Sequence, residues 1–168
     1  SGNNTDIRSI AFEKKGVGTL TMANIVGKET QSAGAPNADV AITVTAGKLV
    51  FSAVNTLTGP TVVNGGTLVI NGTHPSGATV TVNSGGTLGG TGTVSGTLTV
   101  AAGGIVTPGA SIGTLTVGGT PSLGGTLLIE IDRNGGSPLA DKISFTGSAT
   151  FGGTLTVTNI GATAQSGD

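Results

Sequence analysis

Apolar residues recur at every second position through short stretches of this chain: Val80 and Val82 alternate with Thr79 and Thr81, and Leu98 and Val100 with Thr97 and Thr99. Period-two alternation is the pattern of a strand with one buried face. Threonine suits the outward positions, because its branched β-carbon packs laterally on a pleated surface while its hydroxyl meets water. Paired glycines followed by Thr or Ile and then Leu or Val punctuate the strands, at Gly65-Gly66-Thr67-Leu68, Gly85-Gly86-Thr87-Leu88, Gly103-Gly104-Ile105-Val106, Gly124-Gly125-Thr126-Leu127 and Gly152-Gly153-Thr154-Leu155. Their intervals are 20, 18, 21 and 28 residues. A second marker, Thr-x-Thr-Val in its fullest form, starts at Thr79, Thr97 and Thr114, 18 and 17 residues apart.

Each unit reads as a strand, a Gly-Gly corner that tolerates positive φ, a second strand and a return. Equivalent strands recurring in one order every ~20 residues stack as coils whose neighbours pair in parallel, ~4.8 Å apart. The prediction is therefore an all-β, single-stranded parallel β-helix, or β-solenoid, of about eight coils and on the order of 40 Å long, with a column of Val, Leu and Ile inside. Strands are expected at Ile7 to Phe12, Val17 to Ala23, Val40 to Thr45 and Lys48 to Val54. No segment avoids Gly, Thr and Val for long enough to sustain a helix. The chain reads as one domain over residues 1–168. Coils 1–60 are irregular, with a loop at Gly27 to Asp39; coils 61–129 are regular; coils 130–168 are decorated, and the stretch Asp132 to Asp141 accounts for the long last interval.

Composition sharpens this picture. Of 168 residues 32 are Gly and 29 are Thr, and there is no Cys, Trp or Tyr. Seven basic residues against eight acidic ones cannot neutralise a row of phosphates, so a nucleic-acid partner is not expected, and with no thiol there is no disulfide framework. No apolar run approaches the ~18 residues of a membrane span, and Ser1-Gly2-Asn3-Asn4 does not read as a signal peptide. The charges are unevenly placed: from Leu49 to Ile129 there is no Asp, Glu, Lys or Arg, and His74 is the one titratable side chain. Catalysis by paired carboxylates has no residues to use across this block, so the enzyme alternative, a polysaccharide lyase or hydrolase, is left with Asp132 and Asp141. The platforms that stack sugars are missing too, since Phe12, Phe51, Phe145 and Phe151 sit in strand patterns as core.

Three features remain as candidate sites. Thr79/Thr81, Thr97/Thr99 and Thr114/Thr116 would form three successive ranks on one flat face, a hydroxyl and methyl grid suited to ice or a neutral polysaccharide; the plain reading is that Thr is the ordinary outward residue of an exposed strand. Asp132-Arg133-Asn134-Gly135-Gly136 with Asp141 offers oxygens to Ca²⁺, but lacks the acidic density of a dedicated loop, and Arg133 and Lys142 would neutralise it. A solvated turn is the expectation there, and no metal or cofactor is assigned. His74, in Asn71-Gly72-Thr73-His74-Pro75, is expected at the surface of a turn. Asn71-Gly72-Thr73 and Asn3-Asn4-Thr5 fit the N-glycosylation pattern.

Several segments also resemble a known family. Lys14-Lys15-Gly16-Val17-Gly18-Thr19-Leu20-Thr21 and Thr58-Gly59-Pro60-Thr61-Val62-Val63-Asn64-Gly65-Gly66-Thr67-Leu68 are similar to the passenger-associated transport repeat of autotransporter-type proteins. Gly89-Gly90-Thr91-Gly92-Thr93-Val94, then Thr107-Pro108-Gly109-Ala110-Ser111-Ile112-Gly113-Thr114-Leu115-Thr116-Val117, resemble its sequel, and Asp141-Lys142-Ile143 leading to Gly152-Gly153-Thr154-Leu155-Thr156-Val157 its closing segment. The resemblance covers most of residues 10 to 160. It implies a right-handed solenoid forming the stalk of an exported bacterial surface protein, with no shared catalytic residues. The loop at Gly27 to Asp39 enlarges the usual unit. The expectation is an excised piece, a processed product or a self-assembling subunit: a non-catalytic stalk or fibre module, extracellular or on the cell surface, whose partners are copies of itself or adjacent solenoid. A binding module using the Thr face is the alternative.

Overall fold

The computed structural model describes residues 10–23, 39–133 and 139–161. Among these residues every regular element is a strand. β1 (Ile10–Lys14) and β2 (Thr19–Met22) make the first coil, and β3 (Val40–Val44) and β4 (Lys48–Phe51) the second. From the third coil a short third strand appears: β5 (Thr61–Val63), β6 (Gly66–Ile70) and β7 (Thr73–His74), then β8 (Val80–Val82), β9 (Gly86–Gly90) and β10 (Thr93–Val94), then β11 (Leu98–Val100), β12 (Ile105–Pro108) and β13 (Thr114–Val117). The sixth coil holds β14 (Ser122–Leu123), β15 (Thr126–Asp132), β16 (Leu139–Ala140) and β17 (Lys142–Phe145), and the seventh β18 (Thr150–Phe151) and β19 (Thr154–Asn159).

The strands assemble into three sheets, each drawing one strand from each coil it runs through. Sheet A runs β1-β3-β5-β8-β11-β14-β18; sheet B carries β2, β4, β6, β9, β12, β15 and β19, with β16 beyond β15; sheet C runs β7-β10-β13-β17. Among the described residues every strand pairing between coils is parallel apart from an isolated antiparallel bridge between Gly90 and Gly109, and the one antiparallel strand pair, β15 with β16, folds the decorated corner back on its own coil. The described residues thus form a β-solenoid. Among the described residues sheet A draws one strand from each of seven coils. Six steps of ~4.8 Å make the ladder about 29 Å long.

Register explains the core. In sheet B, Leu20, Leu49, Leu68, Leu88, Val106, Leu127 and Leu155 stand directly over one another. In sheet A the column is Lys14, Val44, Val63, Val82, Val100, Leu123 and Phe151. The two columns face each other, and their central members are almost wholly buried. Each buried Leu or Val contributes about 1.5–3 kcal/mol. Of the four phenylalanines expected in the core, Phe51 is fully buried and Phe12 and Phe145 are partly buried against the core, but Phe151, in the last described coil, is 60% exposed.

At the Gly85-Gly86 corner the two glycines do separate things. Gly85 adopts φ +85°, the left-handed bend that its neighbours need. Gly86 is required for closeness instead, since a Cβ there would land on the carbonyl of Val63 one coil below. The Pro108-Gly109 step closes differently: Gly109, at φ +81°, and Gly90 each donate a backbone hydrogen bond to the other's carbonyl, joining the corners of two successive coils.

Candidate functional site

The six threonines singled out by spacing divide between two faces. Thr81 and Thr99 are register partners on sheet A, with Thr79 and Thr97 just before the same two strands. Thr114 and Thr116 belong to β13 on sheet C, where Thr116 pairs with Thr93 and Ser144, and Thr114 with Lys142. The 17-residue interval from Thr97 to Thr114 is shorter than a full coil and ends on the third strand; the sheet A partner of Thr99 in the next coil is Ser122. On the other side Thr81 adjoins Val62. The sheet A patch is therefore two ranks of two hydroxyls, bounded along its middle column by Val62 and Ser122. In the paired registers the longest Thr run is Thr73, Thr93 and Thr116, all on sheet C and with Thr73 and Thr93 only partly exposed.

The acidic corner is organised from within the chain. Asp141 is buried, and its two carboxylate oxygens accept hydrogen bonds from the backbone N–H groups of Gly113 (2.8 Å) and Glu130 (2.9 Å). The neighbouring backbone ties in the same way, with Asp141 N donating to Glu130 O and Lys142 N to Gly113 O, each at 2.8 Å. Asp141 is thus a clamp between β15 of sheet B and the start of β13 in sheet C. Asp141, expected in a solvated turn, is a satisfied internal carboxylate. Asp132 lies in β15 in register with Leu139, and residues 134–138 of the proposed calcium loop lie outside the described residues. Among the described residues no group of three His, Cys, Asp or Glu side chains comes together to hold a metal ion.

His74 departs most from its expected place. It is fully buried, not at the surface of a turn. β7 pairs with β10 so that His74 stands under Val94, and the column continues through Val117 to Phe145. An inward position that is apolar in the later coils is thus occupied by an imidazole. Facing it, Thr61 on β5 occupies an inward position of sheet A, between Ile42 and Val80. Thr61 Oγ1 and His74 Nε2 lie 3.1 Å apart, a buried hydrogen bond across the core. The ring also stacks on Phe51, with centroids 6.4 Å apart and planes 17° from parallel. On the other side of β7, buried Asn55 donates its backbone N–H to Thr73 O and its side-chain amide to Ala53 O at 3.0 Å. Nδ1 of His74 has no hydrogen-bond partner. Burial lowers the imidazole from its ordinary 6.5 to about 4, a fall that the nearby Pro75 backbone only partly offsets. The signal was present in the sequence: Gly72-Thr73-His74 aligns with Gly92-Thr93-Val94 at one period, so His74 takes the inward place of Val94.

At the N-terminal end Lys14 fills the inward position above Val44 and is buried. Its ammonium donates to the carbonyls of Lys15, Gly16 and Ala46 at 3.0, 2.7 and 3.2 Å, so a cation closes the column against exposed backbone. At the opposite end, Leu123, Leu127, Phe151 and Leu155 line an apolar cleft of about 160 Å³. Phe151 meets Phe145 edge to face at 5.6 Å.

Residues 46–70 match the family model of the passenger-associated-transport-repeat. The matched stretch runs from the corner before β4 through β5 to the end of β6, which is one passage along sheet B, across sheet A and back to sheet B. It overlaps the segment Thr58 to Leu68 on which the resemblance rested. No curated protein and no solved structure matches the chain.

Proposed function

We infer that this chain, which carries an autotransporter passenger-type repeat at residues 46–70, serves as a non-catalytic stalk segment of an exported cell-surface protein and extends by stacking further coils on its C-terminal end. One observation carries the reading: the inward columns continue unbroken into the last described coil, and their apolar members there are exposed. Leu155 follows Leu127 in register and Phe151 follows Leu123, yet Leu155 is 63% and Phe151 60% exposed, and Val157 and Ile160 are exposed beside them. An open sheet edge with an apolar cross-section is a surface that solenoids cap or pair.

The occupant that fits is a second copy of this chain, presenting its first coil. Ile10 and Leu20 are exposed on that coil. Its β1 and β2 belong to the same two sheets as β18 and β19 and run in the same direction as their coil-to-coil partners, so stacking would prolong sheets A and B in parallel. Such a contact is head to tail and does not close, which yields a fibre. The absence of charge from Leu49 to Ile129, and the use of Asp141 as an internal acceptor, support a structural role over acid-base chemistry.

Light scattering and electron microscopy over a concentration series test the reading. Wild type should lengthen into rods as concentration rises, and Leu155→Lys should remain a folded monomer. A wild type that stays strictly monomeric at every concentration would remove self-stacking. Protease shaving of intact cells that make the parent protein tests the location, and protection of the segment from external protease would overturn the surface assignment.

A further inference from the structure

We propose that the buried His74–Thr61 pair is an acid-sensitive latch that holds the third coil closed when the ring is neutral and releases it when the ring takes up a proton. The geometry gives the reason. Thr61 Oγ1 contacts Nε2 at 3.1 Å, and a hydroxyl serves either tautomer of the neutral ring, donating to a bare nitrogen or accepting from N–H. A protonated ring must donate from both nitrogens. Thr61 can accept from one, but Nδ1 makes no hydrogen bond in a site with no solvent exposure, and only the nearby Pro75 backbone favours its proton.

No charged side chain compensates the charge, and the Pro75 backbone offsets it only in part. The elements packed against it are β4, β5, β6, β10 and the segment 53–58, and in all of them the one ionisable side chain is Lys48, which is exposed on the outer face of β4. The nearest carboxylates in sequence are Asp39 and Glu130; the Asp39 carboxylate accepts from Thr58 Oγ1 at the surface. An imidazolium would therefore sit in an apolar column between Phe51 and Val94 without a counter-ion, a state costly enough that opening to water is the cheaper response. What opens is defined by the bonds to β7: Asn55 N–H to Thr73 O, Ser95 N–H to His74 O and Thr93 N–H to Gly72 O.

The pH window follows from linkage. The ring binds its proton near pH 6.5 when open and near 4 when closed, so the closed form is fully favoured above 6.5 and loses ground as pH falls from 6.5 to 4. The opening equilibrium rises about 30-fold between pH 7.5 and 5, and about 300-fold once pH is well below 4.

Two measurements decide the matter. His74 is the one histidine in the chain, so its ring C2–H resonance can be titrated directly. It should titrate below pH 5, and a midpoint near 6.5 would overturn the proposal. The second compares wild type with the double variant Thr61→Val/His74→Val, each residue replaced by what the next coil carries at that position (Val80 and Val94). Carboxylates common to both proteins cancel in the comparison. After correction for intrinsic exchange, the amides of Asn55 and Ser95 in wild type should exchange about 30-fold faster at pH 5 than at 7.5, while those of β15 should not, and the variant should lose the difference. Equal pH dependence in both proteins, or a uniform change along the whole solenoid, would overturn it. Should the variant fail to fold, the wild-type titration and the contrast between Ser95 and β15 still decide.

Discussion

Replacing Asp141 with Ala should loosen the last two coils while leaving the middle of the molecule intact. The carboxylate accepts one hydrogen bond from the Gly113 amide and one from the Glu130 amide, at 2.8 and 2.9 Å, in a buried setting. Hydrogen bonds to a charged partner contribute about 1.5–3 kcal/mol each. With the side chain truncated, both amides lose their acceptor, so Asp141→Ala should cost about 3 kcal/mol or somewhat more. Asp141→Asn keeps one carbonyl acceptor but turns an NH₂ towards the other amide, and should cost about 2 kcal/mol. In a stacked fold each coil interacts with its immediate neighbours, so the loss should stay local. Hydrogen exchange resolved by residue is the assay. The amides of Asp141, Lys142 and Ile160, which bond to Glu130, Gly113 and Ile131, should exchange faster by a factor on the order of a hundred, while those of β6 and β9 should hold their wild-type rates. A loss below ~1 kcal/mol in Asp141→Ala, or equal acceleration in β6, would refute the clamp.

Two further substitutions test the core and the corners. Leu68→Ala, at a fully buried position between Leu49 and Leu88, should lower stability by about 2–5 kcal/mol in urea unfolding, and a loss under ~1 kcal/mol would contradict a close-packed column. Gly85→Ala carries only the strain of a left-handed residue, about 1–2 kcal/mol, because its Cβ would make an ordinary contact with Asn64 O at 3.7 Å, whereas Gly86→Ala drives a methyl into the Val63 carbonyl. Thermal unfolding should therefore rank Gly86→Ala as clearly the more damaging, and the reverse order would overturn the division of labour within the pair.

The period-two stretches predicted the regular coils closely, because alternation and register carry the same information: Val80 and Val82 face inward since Leu98 and Val100 do, one coil on. The irregular first coils were also legible, with β3 and β4 falling inside the expected Val40 to Thr45 and Lys48 to Val54. Strand β1 shows the limit, since it extends to Lys14, where a lysine occupies an inward position that hydropathy alone assigns to the surface. The third sheet was missed because β7 and β10 are two residues long, too short to display alternation. That omission misplaced two of the three candidate sites. It put Thr114 and Thr116 on the wrong face, and it left His74 in a turn when the strand it belongs to is what turns it inward.

The polar residues inside the solenoid mark where its stacking is most conditional. Lys14 and Asp141 stand near the two ends of the ladder, and both resolve their charge on backbone groups: carbonyls for the ammonium, amides for the carboxylate. Neither depends on a second side chain. Thr61, His74 and Asn55 lie instead in or beside the third coil, where the apolar column is interrupted on two sheets at once. A nearest-neighbour fold is only as continuous as its weakest interface. At neutral pH the His74 bond to Thr61 and the stack on Phe51 hold that interface, while the coils beyond it, from β8 through β13, are joined by apolar contacts that no change of pH alters. The molecule therefore consists of a pH-indifferent block and an earlier block coupled to it through one titratable ring. Acid acting on that ring should therefore open the solenoid at the third coil, where the neutral imidazole holds the interface.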